Sequence, residues 1–447
     1  MLSMSGDEGD EDMEKTLSPV RSDGGWHEGR RRRAWPLVAA VLTFTLLAAA
    51  CSDGAPAPEK TITLRVMMTD DWVTPPFLEA VRDFEREHPG VRVEPGKTPI
   101  SHMLDTVTAA IKSGTPPDIV QAHAFSAAAQ DLAQEVDDLW AEGGPLEVAD
   151  FLPGAIDDVT WAGHLYGVPL DTNALFLLYD ADQFAAADVT PPGQPFTFAT
   201  FEEAARALSA ADGKKRALAI PQSTWWTYGW IKANGGEVLR VGDDGKAQLT
   251  LDDPAVVGAL NYLRTLVQQN LAFAPGAADS HSGDALALFR SGSSSTLASG
   301  SWDIAVLKKD SPGDRYRSTL MPAGAAGTRG SVMGGSSMFI PKGSKNRELA
   351  FEFMAHLVSD KYALRLAKEE GRLPVRPRVY DDPYFSTPDL QAVIDQLPTA
   401  SPFKLSAFPE AHDVFAKAID EVLRGGSDAG PVMAEAQKQA QTLIANK

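Results

Sequence analysis

The chain has one cysteine, Cys51, in 447 residues. A lone thiol forms no internal disulfide and cannot build a zinc or iron–sulfur centre that needs several cysteines. Positive charge is also short: 41 Lys+Arg stand against 60 Asp+Glu, a net −19, which argues against a nucleic-acid partner. Eight histidines are scattered, with no pair at helical ligand spacing. The chain lacks a Walker A loop, a His-Glu-x-x-His pair and a Gly-x-Ser-x-Gly elbow, so no signature of ATP hydrolysis, zinc proteolysis or serine hydrolysis is present. No repeat of 20–50 residues points to a solenoid or propeller. Neither a cofactor nor a metal is expected. Hydrophobic content of 44% is ordinary for globular protein and leaves room for two or three domains.

What the chain does have begins near its start. A polar, acidic stretch precedes Arg30–Arg33, and then residues 34–50 run uncharged into Ala48-Ala49-Ala50-Cys51. Positive charge, an apolar run and small residues before a cut make a secretory signal. The end of this run resembles a bacterial lipobox, with Ala48 where a large aliphatic is usual and Leu47 one place further out. Residues 1–50 are therefore expected to be a leader, Cys51 the lipidated residue, and 51–59 a tether rich in Pro and Ala. An uncleaved membrane anchor is the alternative, and translation from Met13 or later would remove the acidic stretch. Either way the body is placed outside the cytoplasm, held at the outer face of the cell membrane. No apolar run of 18 recurs, so that body is expected to be soluble.

Beyond the tether, periodicity alone sets the fold class. Thr61–Met68 alternates as a strand. Phe77–His88 carries Phe77, Val81 and Phe84 at helical spacing and stops at Pro89-Gly90. VRVEP reads as a second strand, His102–Lys112 as an amphipathic helix and DIVQAHA as a third strand. Strand–helix alternation predicts parallel α/β sheets with right-handed crossovers. The pattern continues through Leu165–Asp180, and helices are expected at Thr200–Ala211, Pro254–Gln269, Asp284–Arg290, Asn346–Val358, Lys361–Glu369, Glu410–Leu423 and Pro431–Ala445.

Six phrases in order then carry a resemblance: FEREHPGVRVEP, IKSGTPPDIV, HLYGVPLDTNALFLLYDADQF, ALFRSGSSSTLASGSW, GGSSMFIPKGSKNRELAFEFMAHL and GRLPVRP. Together they resemble the family 1 extracellular solute-binding proteins, the sugar receptors of ABC importers, over nearly all of residues 61–447. The resemblance implies a two-lobe, type II binding-protein fold, each lobe a mainly parallel sheet flanked by helices, with hinge closure around a ligand. It places lobe one at 60–171 plus 322–357 and lobe two at 172–321 plus 358–447.

A sugar offers C–H faces and hydroxyls, so its receptor needs flat apolar rings beside hydrogen-bonding groups. The segment Ser223–Trp230 has four aromatics, Trp225, Trp226, Tyr228 and Trp230. The resemblance singles out Trp225 as an aromatic platform, puts Trp302 at a Gly-x-Trp position, and puts Ser223 where related maltose receptors carry an acidic contact. Asp171 and Asn173 fall at a lobe crossing, Gly335 and Ser336 on a Gly-Gly loop that lets backbone approach a ligand. Trp72 and His123 follow strands at their carboxyl ends, where α/β sheets bind ligands. Weaker candidates are Gly334, Ser337, Asp70, Asp71, Lys404, Phe408 and Arg376, the last equally able to pair with a neighbouring acid.

The expectation is a monomeric, lipid-anchored receptor that passes a carbohydrate, an oligosaccharide by preference, to ABC permease subunits. It has no nucleic-acid partner and no enzymatic activity. A receptor for a glycerol phosphate or peptide-like solute, a sensory or adhesive lipoprotein, and a glycan-cleaving enzyme are the rival readings.

Overall fold

The structure is a computed structural model and describes residues 61–445 apart from 141–143, 194–195, 211–212, 222, 276–282, 312 and 326. The expected leader, lipobox and Cys51 lie outside the described residues. Among the described residues no helix is long and apolar enough to cross a membrane.

The first sheet grows from Ile62–Met68, which pairs in parallel with Val91–Lys97 on one edge and Ile119–Gln121 on the other. Helix Pro75–Glu87 makes the first crossover. Prolines at its start fix φ where no intrahelical N–H is needed, and its inward stripe is Phe77, Ala80, Val81 and Phe84. Its chain then turns at Gly90, whose φ of +88° suits a residue without Cβ. Helix Met103–Lys112 makes the second crossover. Two long strands complete the sheet in antiparallel fashion. Ser331–Phe339 meets Ile119–Gln121 at its end, and Gly167–Ala174 lies along its length.

Gly167–Ala174 leads through Leu175 directly into Phe176–Asp180, a central strand of a second, five-stranded sheet. There Ala272–Phe273, Arg216–Ala219 and Ser294–Ser299 run parallel to one another, Phe176–Asp180 runs antiparallel beside them, and Tyr316–Thr319, antiparallel to Phe176–Asp180, takes the direction of the first three. Both sheets are therefore mixed: Ser331–Phe339 in the first and Phe176–Asp180 in the second run against the parallel set. The α/β class follows the sequence reading, and the helix bounds agree with it to within a few residues.

Near two of the expected lobe limits the chain passes from one sheet to the other. Pairing of the first crossing continues past residue 171 to Ala174, opposite Met333. In the tail, helix Asp360–Glu370 lies on Pro75–Glu87 beside the first sheet, where Lys361 Nζ is 2.6 Å from Asp83 Oδ2 and Arg365 pairs with Glu79. Val379 and Phe385 lie in the same hydrophobic cluster as Phe77 and Phe84, a cluster that also takes in Phe176 and Leu178 of the second sheet. Helix Pro388–Gln396 then packs on Tyr316–Thr319 of the second sheet, where Ser318 Oγ donates to Asp389 O at 2.9 Å and Met321 N donates to Gln396 Oε1 at 2.8 Å, and from Phe403 onward the tail surrounds Trp230, Leu260 and Leu263. The buried stripe Tyr362, Ala363, Leu366 and Ala367 seats helix Asp360–Glu370, and the partly exposed ion pairs at its edge add little.

Candidate ligand-binding site

The paired crossing strands form the spine of the site. Their register sets Asn173 opposite Gly334, Thr172 opposite Gly335 and Asp171 opposite Ser336, with a bulge between Ser336 and Ser337. Gly335 has φ +104°, and a Cβ there would sit 2.3 Å from the Asp171 carbonyl oxygen, so only glycine fits. Beside it, the Ser336 backbone N–H and hydroxyl both donate to Asp171 Oδ1, each at 2.8 Å. Burial raises the Asp171 carboxyl above the usual range, and the Arg372 charge and the Ser336 bonds offset only part of that.

Around Asp171 the first sheet builds a polar wall. Gln121, ending the third strand, accepts from Thr69 N at 3.0 Å and donates from Nε2 to Ser336 Oγ at 3.2 Å. His123 follows two residues later. Its Nδ1 is 2.7 Å from Asp158 Oδ1; the His123 side chain is 41% exposed, whereas that of Asp158 is 2% exposed. Burial works against the charged imidazole, but the Asp158 carboxylate, with Asp171 behind it, outweighs this and raises the His123 pKa. Arg372 Nη2 donates to the Asp71 carbonyl at 2.7 Å and to Asp71 Oδ2 at 2.9 Å, while Nε donates to Glu370 Oε2 at 3.0 Å. The same guanidinium lies 3.9 Å from the Trp72 ring centroid. Trp72 thus stands at the expected strand end but is buried under Arg372, a cation–π contact in place of an open platform.

The second sheet supplies an aromatic wall. Helix Thr224–Ala233 starts at Ser223, whose Oγ accepts from Trp225 N at 3.3 Å. In this structure Ser223 is therefore an N-cap, the role a serine with extended backbone takes at a helix start. Three of the four aromatics in this helix belong to the core: Trp226 is 7% exposed, Tyr228 1% and Trp230 0%. Trp226 Nε1 donates to Ala298 O at 3.1 Å, and the Tyr228 hydroxyl donates to Glu237 at 2.7 Å. Trp225 is the exception. It is partly exposed, and its Nε1 donates to Met333 O at 3.2 Å on the crossing strand. A Cβ on Gly334 would lie 3.2 Å from Trp225 Cζ2, so the glycine lets the indole lie close to the strand.

Trp302 faces Trp225 with ring centroids 5.9 Å apart and planes at 50°. It lies in the first turn of helix Ser301–Asp310 and folds back over Gly300, where a Cβ would meet the indole at 2.1 Å. That clearance is the physical content of the Gly-x-Trp pattern. Asn173 is buried and spends its amide on this junction: Nδ2 donates to Ser301 Oγ at 2.7 Å, and Oδ1 accepts from Ser301 N at 3.2 Å. It ties the crossing strand to the helix bearing Trp302.

The structure thus gathers Trp225, Trp302, Asn173 and Gly334 at one end of the spine, and Asp171, Gly335, Ser336, His123 and Trp72 at the other. Other candidates are engaged elsewhere. Ser337 ties Ala122 O and Ala124 N, Asp70 pairs with Lys97, and Lys404 Nζ lies 2.5 Å from Asp157 Oδ1. Phe408 packs near Trp161, and buried Arg376 sits 2.5 Å from Asp150 Oδ2. Arg372, Gln121, Asp158 and Ser301 escaped the sequence reading. Gln121 left a signal, a polar residue inside a fully buried strand; Arg372 shares the GRLPVRP turn with Arg376, and nothing local distinguishes the two.

Residues 79–392 match the family model described as bacterial extracellular solute-binding protein. The diacetylchitobiose binding protein DasA of Streptomyces coelicolor is 25% identical over 332 residues, 70% of this chain and 73% of that protein. An uncharacterised lipoprotein of Streptomyces antibioticus is 25% identical over 365 residues, 78% of each chain. The solved structure of the sugar-binding protein MalE from Xanthomonas citri superposes with a TM-score of 0.76 at 21% identity, covering 86% of this chain and 98% of that one. That likeness assigns the two-lobe binding-protein fold to the two mixed sheets and the strands crossing between them. With the family match running over well more than half of its length, the chain belongs to the bacterial extracellular solute-binding proteins.

Proposed function

We propose that the protein is the carbohydrate receptor of an ABC importer, capturing an oligosaccharide between its lobes and handing it to permease subunits. The observation that carries this reading is the Trp225–Trp302 pair, two part-exposed indoles 5.9 Å apart at the crossing strands. Indole faces stack on sugar C–H surfaces, and Asp171, Ser336 and His123 supply hydroxyl partners a short way along the same strands. The sugars in the names of DasA and of MalE's class support the same substrate class. A ligand touching both walls favours closure by its differential contact energy, which is how such a receptor would signal occupancy. An anionic solute such as a glycerol phosphate suits the site less well, because Arg372 is already paired with Asp71 and Glu370.

In this reading Cys51 carries the lipid that holds the body at the outer face of the membrane, consistent with a relative named as a lipoprotein. The receptor works as a monomer, its lobes divide at the crossings, and it binds its sugar without cleaving it.

The test is a thermal-shift panel of di- to pentasaccharides beside glycerol phosphates and short peptides. Free ligand at 100 times Kd adds about 2.7 kcal/mol to stability, so at least one oligosaccharide raises Tm by several degrees. A rise with a phosphate or peptide and none with any sugar overturns the reading. Chromatography of the same sugar mixtures should show no shortened products.

A further inference from the structure

Away from the crossing strands, three metal-binding side chains meet at the protein surface. Glu135, Asp137 and His164 each offer one ligand atom, and these atoms lie within 4.8 Å of one another. His164 Nδ1 is 2.7 Å from Asp137 Oδ2 and 3.6 Å from Glu135 Oε1. We infer that these three residues form a binding site for a divalent transition metal of the zinc class, a role separate from solute capture.

The backbone under the three side chains is held in place on both sides. Glu135 and Asp137 flank Val136, which is fully buried and donates its N–H to Leu165 O at 2.8 Å. His164 stands on the short hairpin Thr160–Trp161 with His164–Leu165. The turn residues of that hairpin, Ala162 and Gly163, both have positive φ, +51° and +82°, the geometry that matches strand twist in a tight hairpin. Leu165 N donates to the other Asp137 oxygen, Oδ1, at 2.6 Å. A ligating carboxylate oriented in this way by a backbone N–H is the arrangement that metal sites use to fix a ligand before the ion arrives.

Distances and donor types select the ion. Bonds of about 2.0–2.1 Å in a tetrahedral site put ligand atoms roughly 3.3 Å apart. The His164–Glu135 separation is close to that already. The His164–Asp137 contact has to open by about 0.6 Å, which follows when the proton shared across it leaves to make way for the metal. One imidazole with two carboxylates suits zinc and its neighbours, whereas calcium and magnesium prefer all-oxygen shells. The side chains are 38–52% exposed, so water completes the shell. A bound ion would cross-link the 135–137 segment to the hairpin that feeds into Gly167–Ala174.

The experiment uses the full chain stripped with chelator, titrated calorimetrically with zinc chloride and separately with calcium chloride, for the parent, His164→Ala and Glu135→Gln. One zinc per protein is expected, bound at least tenfold more weakly by each variant, with a zinc-dependent rise in Tm in the parent. Glu135→Gln keeps shape at an exposed position, and an unchanged metal-free Tm shows that its loss of zinc is not loss of fold. No zinc binding, equal zinc affinity in both variants, or calcium bound as tightly as zinc overturns the assignment.

Discussion

The two walls of the site are built on opposite plans. On the first-sheet side, polar groups hold one another: Thr69 to Gln121, Gln121 to Ser336, Ser336 to Asp171. On the second-sheet side, two indoles owe their positions to missing side chains, at Gly334 under Trp225 and at Gly300 under Trp302. A hydrogen-bonded wall is fixed before any guest arrives, since each donor is already aimed. An aromatic wall set by clearance is fixed only as long as nothing larger than hydrogen occupies the space. The first kind suits reading hydroxyl positions and the second suits supplying area.

Substitutions can sharpen that contrast, starting with two tryptophans five residues apart in one helix. Trp230→Ala empties a core site among Phe198, Phe201 and Tyr262 and should cost about 3–5 kcal/mol of stability, read by denaturant unfolding. Trp225→Ala should leave the unfolding midpoint nearly unchanged and weaken sugar binding by about 1–3 kcal/mol. Equal effects of the two on stability would erase the distinction between core and wall. Next, Gly300→Ala inserts a methyl where the Trp302 ring lies. The obstacle is a side chain, not backbone, so the indole is displaced, and calorimetry should show binding weakened on the order of 1–3 kcal/mol with the fold retained. Unaltered affinity would detach Trp302 from the ligand.

The smallest effect concerns pH on the polar wall. His123 has a pKa raised above its ordinary 6.5, chiefly because Asp158 outweighs the burial that opposes its charge. A raised pKa means stabilisation that is full below about 6.5 and lost as pH rises through the folded-state value. The difference in unfolding free energy between the parent and His123→Gln should therefore shrink from pH 6 to pH 9, by under about 1 kcal/mol for a partly exposed pair. A gap that widens over this range would assign His123 a neutral ring in the folded protein.

Much of this was readable from the residues. Helix and strand positions followed from periodicity, because burial imposes a period of 3.6 or 2 on any sequence that folds this way. Gly335 and Trp302 came from the Gly-Gly and Gly-x-Trp phrases of the family resemblance, and the structure supplies the reason for each: backbone at positive φ and a ring folded over glycine. The polarity of the neighbourhood was harder. Arg372 lies within four residues of Arg376, yet one covers Trp72 and the other is locked to Asp150. What separates them is the partner met in three dimensions. The same applies to Trp225 and Trp226, adjacent in sequence and 4.9 Å apart, with one indole at the wall and the next in the core. In a helix, the face that meets the core is set by packing of the whole element, and a run of four aromatics hides its own orientation.

The pairing of Gly167–Ala174 with Ser331–Phe339 also bears on how the chain acquires its shape. Met338 sits beside Val168, so about 170 intervening residues must be looped out before the first sheet gains its last two long strands. Loop closure on that scale is entropically slow and cannot begin until the later strand has been synthesised. Until then Ile119–Gln121 has no partner on the side that Ser331–Phe339 will cover.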